Sequence, residues 1–148
     1  MQKKINIGLI GYGVVGKRRI LSLPNKFNLV ACADPYIKIN KIKLNKKNIY
    51  VFKNWRKLID LKSLDAIIVC TTHNLHSIII KECIKKNLHV FVEKPASIND
   101  LQSKQILKLL KKKKKLKIRV GFNHRYHPAF LAAKKMVNNN KIGKIMYI

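Results

Sequence analysis

Acidic residues are scarce in this chain: six Asp and Glu stand against 33 Lys and Arg, a formal net charge of +27 over 148 residues. Cysteine is scarce too, with three residues, Cys32, Cys70 and Cys83, and no CxxC spacing. That excludes a disulfide framework and a structural zinc ribbon, and predicts reduced, mostly buried thiols in a cytoplasmic protein. Apolar runs are only a few residues long, far short of the ~20 needed to span a bilayer, so no membrane partner is expected. The N-terminal Met1-Gln2-Lys3-Lys4 leads directly into an apolar run, with nothing resembling a signal peptide. No internal repeat or low-complexity region is present.

The positive charge has a plain reading. Only five of the 33 basic residues are Arg, and the lysines are spread along the whole chain. Ile and Asn, which share A/T-rich codons with Lys, are abundant as well. A dedicated nucleic-acid binder would group Arg and aromatic side chains on one element. The densest block, Lys111 to Lys115, falls between a helical segment and a strand. A solvated surface is therefore expected, with no specific nucleic-acid partner.

What is present is a hydrophobic content of 47%, ordinary for a globular domain. The length suits one domain with a proper core and does not suffice for a dinucleotide domain plus a full substrate domain. Strand-length apolar runs cover Ile5–Ile10, Phe27–Ala33, Ile49–Phe52, Ala66–Thr71, His89–Val92 and Lys117–Gly121. Helical segments lie between them at Val15–Leu23, Trp55–Ile59, Leu75–Lys86 and Asp100–Lys113, the last capped by Asn99 or Ser97. Tyr36–Asn48 is polar and ambiguous, read as a weak helix and a loop. This alternation predicts an α/β fold with a doubly wound parallel sheet. Further on, a helix is expected at Ala129–Val137, then turns, then an apolar β-like run at Ile145–Ile148.

Four places carry chemistry, each at the C-terminal end of a predicted strand, where ligands sit in open α/β sheets. The first is Gly11-Tyr12-Gly13-Val14-Val15-Gly16. Gly11 permits the tight turn, Gly13 lets backbone approach a pyrophosphate, and Gly16 lets helix and strand pack closely. The helix N-terminus then offers free N–H groups to phosphates. Asp34, 23 residues after Gly11, is placed to accept hydrogen bonds from ribose hydroxyls. A carboxylate there repels a 2′-phosphate, which favours NAD over NADP. Lys17, Arg18, Arg19 and Lys38 are near enough in sequence to weaken that preference, so NADP stays open.

The second place is Thr71-Thr72-His73-Asn74-Leu75-His76. Its histidines are spaced i, i+3, but no Asp, Glu or Cys lies beside them, so helix capping or cofactor contact is expected before metal binding. The third is Glu93-Lys94-Pro95. A Lys ammonium there can hydrogen-bond a substrate hydroxyl and stabilise charge that develops in hydride transfer; a surface salt bridge before a proline turn reads equally from the tripeptide alone. The fourth is Asn123 to His127, where Arg125 could hold an anionic group or brace the cofactor pocket and Pro128 favours a helix start.

Taken together, in this order, these motifs resemble the N-terminal half of the Gfo/Idh/MocA oxidoreductases. GYGVVG, Glu93-Lys94-Pro95, and GFNHRYHP followed by Lys141-Ile142-Gly143-Lys144-Ile145 carry the resemblance across essentially the entire chain. Thr72-His73 departs from it, since many members have Pro-Asn there. The resemblance implies a Rossmann domain over residues 1–121, with 122–148 as an interdomain segment and the start of a truncated C-terminal α/β domain. It implies a role for Lys94 in catalysis or substrate binding, and places His76 and Glu93 against the cofactor. Family members supply an Asp-xxx-His general acid/base pair from a second, mostly β domain, absent from these residues. They usually associate through that domain, so a homo-oligomer is expected of a full-length protein. The expected function is the NAD-holding part of a dehydrogenase that acts on a hydroxyl of a sugar, sugar derivative or cyclitol. A non-catalytic dinucleotide-binding module is the alternative.

Overall fold

The computed structural model describes residues 4–44 and 47–147. Seven strands form one sheet in the order β3-β4-β2-β1-β5-β6-β7. They are β1 (Ile5–Ile10), β2 (Phe27–Ala33), β3 (Lys41–Leu44), β4 (Lys47–Phe52), β5 (Ala66–Val69), β6 (His89–Val92) and β7 (Ile118–Val120). All neighbours pair in parallel except β3, which runs antiparallel to β4. The helices are α1 (Val14–Leu21), α2 (Trp55–Ile59), α3 (His73–Lys85), α4 (Asp100–Lys111) and α5 (Pro128–Asn138), with a 3₁₀ turn at Asn123–Tyr126.

The strands read as unbroken apolar runs because both faces of the sheet are covered. Leu9 on β1 packs into a cluster with Ile20 of α1, while its neighbour Ile10 packs with residues of α2, α3 and α4 on the opposite face. Helix α3 contributes most to that second cluster, with Ile79, Ile80, Cys83 and Ile84 all at 1% exposure or less. Each buried Ile of this kind stabilises the fold by roughly 1.5–3 kcal/mol. Chain order reverses at β1, whose neighbours are β2 on one side and β5 on the other. The switch point, and with it the ligand crevice of such sheets, therefore lies at the carboxyl ends of β1, β2 and β5.

Several expected boundaries shift. Within Tyr36–Asn48 no helix is found among the described residues: Lys41–Leu44 forms an edge strand, and residues 45–46 lie outside the described residues. In Lys41-Ile42-Lys43-Leu44 the apolar side chains alternate with lysines, and Ile42 is buried against the sheet while both lysines are exposed. Strand β4 accordingly starts at Lys47, before Ile49, and the sheet is mixed. Strand β5 stops at Val69 rather than Thr71, and α3 starts at His73 rather than Leu75, since Thr72 already takes the extended cap conformation. Asn99 caps α4 by accepting from the Gln102 N–H at 2.9 Å, whereas the Ser97 hydroxyl bonds to that of Ser103. Pro128 does open α5. Ile145 to Tyr147 are exposed and form no strand; Ile148 lies outside the described residues.

Candidate cofactor site

The turn from β1 into α1 shows why three glycines stand there. Gly11 has a φ of +92°, the left-handed region that L side chains rarely adopt, and a Cβ on it would lie 2.5 Å from the Cys70 carbonyl oxygen. At Gly16 a Cβ would collide with the Gly11 carbonyl oxygen, so helix and turn could not close together. Gly13 differs. Its φ of −73° suits any residue, and a Cβ there would meet nothing within 4 Å. Neither backbone strain nor packing within the chain accounts for glycine at this position, and the space beyond it is open. The first intrahelical bond runs from Lys17 N–H to the Gly13 carbonyl, so the N–H groups of Val14, Val15 and Gly16 have no partner inside α1.

Asp34 leaves β2 beside this turn. One carboxylate oxygen accepts from the Tyr12 N–H at 2.8 Å and the other from the Tyr36 N–H at 2.9 Å. The two bonds fix the carboxylate against the glycine turn, and a carboxylate's roughly four lone-pair sites leave capacity for ribose hydroxyls. Gly11, Gly13, Asp34, Thr71, Thr72 and His73 share one groove of about 880 Å³ with residues the sequence did not mark: Pro35, Tyr36, Lys53, Asn54, Trp55 and Arg56 among them. Lys53 to Arg56 follow β4, next to β2 in the sheet, so the rule that loops at strand carboxyl ends face the ligand would have found them. Cys70 also lines the groove, but burial, with the Glu93 charge adding and Arg19 opposing, pushes its thiol up to about 12. It is a neutral wall atom, not a nucleophile.

His76 lies beneath the groove rather than in it. Its ring is fully buried, with Nδ1 2.7 Å from the Pro95 carbonyl oxygen and Nε2 3.0 Å from that of Thr71. It ties the loop after β5 to the turn after β6. His73 stacks edge-on against it at 5.6 Å, and among the described residues no three His, Cys, Asp or Glu side chains converge as metal ligands.

Glu93 and Lys94 emerge from β6. The salt bridge open to this pair is not the one formed: Glu93 pairs with Arg19 of α1, whose Nε donates to Oε1 at 2.6 Å, while Lys94 is exposed. Arg19 is thus engaged at β6 and adds no cation beside Asp34. The cations lining the Asp34 groove are Lys53 and Arg56 instead. Arg125 is apart from the groove, in a separate depression of about 330 Å³ with Arg119, Phe122 and Tyr126.

Comparison with known proteins agrees with this geometry. The Gfo/Idh/MocA family model, described as an oxidoreductase family with an NAD-binding Rossmann fold, matches residues 5–122. The uncharacterized oxidoreductase YrbE of Bacillus subtilis is 30% identical over 146 residues, covering 97% of this chain and 42% of that protein. Myo-inositol 2-dehydrogenase of Thermotoga maritima is 30% identical over 143 residues, covering 95% of this chain and 42% of the relative. Among solved structures, myo-inositol 2-dehydrogenase from Lactobacillus plantarum superposes with a TM-score of 0.83 at 25% identity, covering 98% of this chain and 44% of that one. The chain spans less than half the length of the relatives it matches. From the family match and the geometry of the glycine turn, the chain belongs to the Gfo/Idh/MocA oxidoreductase family and carries its NAD-binding Rossmann fold.

Proposed function

We propose that this chain is the cofactor-holding part of a dehydrogenase that acts by hydride transfer on a hydroxyl of a sugar, sugar derivative or cyclitol. The observation that carries the reading is Gly13, a glycine that needs neither a positive φ nor room for close packing and that faces open space at the N-cap of α1. NAD, when bound, supplies the hydride acceptor. The free N–H groups of Val14, Val15 and Gly16 would receive its phosphates at the positive end of the α1 dipole. Asp34, held by the Tyr12 and Tyr36 amides, would accept from ribose hydroxyls and repel a 2′-phosphate. Thr71 and Thr72 would line the path from there toward β6. Lys94, exposed at the carboxyl end of β6, would orient the substrate oxygen with its ammonium and stabilise charge developing on it. The cyclitol class is supported by the inositol dehydrogenases among the relatives.

Calorimetric titration of the folded chain tests this. NAD is expected to bind, NADP to bind more weakly, and Asp34→Ala to lose the preference. A folded wild-type chain that binds neither nucleotide would overturn the reading.

A further inference from the structure

Arg19 stands on α1, and its side chain reaches Glu93 at the carboxyl end of β6. Its Nη2 lies 2.5 Å from Glu93 Oε1, which also accepts from Nε, and Nη2 donates to Asn123 Oδ1 at 3.0 Å. The guanidinium rests on the Phe91 ring, 5.0 Å from its centroid. Only 25% of the Arg19 side chain and 16% of the Glu93 side chain are exposed. Charge-assisted contacts so shielded from water are screened far less than the other three ion pairs among the described residues, which lie on the surface.

A second observation comes from the backbone beside the pair. Gly121, just after β7, has a φ that strains no side chain, yet a Cβ there would sit 3.1 Å from Glu93 Oε2 and 3.3 Å from Arg19 Nη2. The space a side chain would take is filled by the ion pair. Residues of α1, β6, the loop after β6 and the loop after β7 therefore converge on one guanidinium, and the carboxylate it holds belongs to the residue directly before Lys94.

We propose that Arg19 is a positioning residue: it neutralises and fixes Glu93, and through it sets the Glu93-Lys94 turn at the nicotinamide end of the groove, coupling that turn to the helix whose N-terminus receives the phosphates. This rests on the NAD reading above. Without Arg19, a half-buried carboxylate is left uncompensated beside the place where an anionic dinucleotide binds, and the turn loses its tie to α1.

The test compares two ligands that share the adenosine and pyrophosphate parts: NAD, and ADP-ribose, which lacks the nicotinamide. Both are titrated calorimetrically into wild type, Arg19→Gln and Arg19→Lys, each also melted to verify folding. Arg19→Gln is expected to weaken NAD about tenfold, as for loss of a charge-assisted bond, with ADP-ribose unchanged within about twofold. Arg19→Lys, keeping the charge, is expected to recover part of the NAD loss, and it carries the comparison if Arg19→Gln does not fold. Equal weakening of both ligands, or no change in either, would overturn the proposal. A wild type that binds neither ligand would mean that the NAD reading itself has failed, a different result from either.

Discussion

At the scale of single residues, the glycine turn separates packing from ligand demands. Gly16→Ala gains up to about 1 kcal/mol of helix propensity but drives a Cβ into the Gly11 carbonyl oxygen, a backbone atom that cannot swing aside. Overpacking of that kind costs roughly 1–3 kcal/mol, so the collision wins and urea midpoints are expected to fall. Cys70 offers a second check. With its thiol pushed up to about 12 from 9.0, the thiolate fraction at pH 8 is about a thousandfold below that of an ordinary thiol. Iodoacetamide should therefore alkylate Cys70 in the folded chain far more slowly than free cysteine. Labelling at the free-cysteine rate in folded protein would contradict the burial that causes the shift. Gly11 and Gly16 are legible because the turn demands glycine at each. His76 and Arg19 were less so: an imidazole bridging two carbonyls 19 and 5 residues away, and an arginine reaching Glu93 74 residues on, are set by tertiary structure.

At the scale of elements, most strands could be read directly because double-sided burial demands continuous apolar runs. The edge strand β3 escaped, since its one buried residue, Ile42, sits among lysines and polar residues in a four-residue element. The start of α3 was blurred for another reason: Thr72 opens it through its extended backbone, without any side-chain cap bond. Asn99 is a cap that side-chain chemistry does decide. Asn99→Ala removes the bond to the Gln102 N–H and should cost about 1 kcal/mol in urea denaturation. Ser97→Ala leaves the α4 cap intact and should cost less.

At the scale of the whole molecule, the net charge of +27 opposes compactness, and four ion pairs among the described residues offset little of it. Melting temperature should therefore rise with sodium chloride up to about 0.2 M as the Debye length falls to roughly 7–8 Å; a fall over that range would contradict this. The thiols add a pH dependence. Burial raises Cys32, Cys70 and Cys83 alike to about 12 in the folded chain, so the unfolded chain loses these protons first as pH rises past 9.0. Their contribution is intact below that value and is lost between it and about 12, which predicts alkaline loss of stability in a melt series.

The claim on which all scales converge is that Gly13 is kept free of a Cβ for a bound dinucleotide. Its most direct test is NAD titration of wild type against Gly13→Val. A Cβ at this position meets nothing within 4 Å in the folded chain, so the variant should fold with about 1 kcal/mol lost at the cap position. The account predicts that wild type binds NAD and that folded Gly13→Val binds at least tenfold more weakly. Equal affinity in the two folded proteins would contradict it.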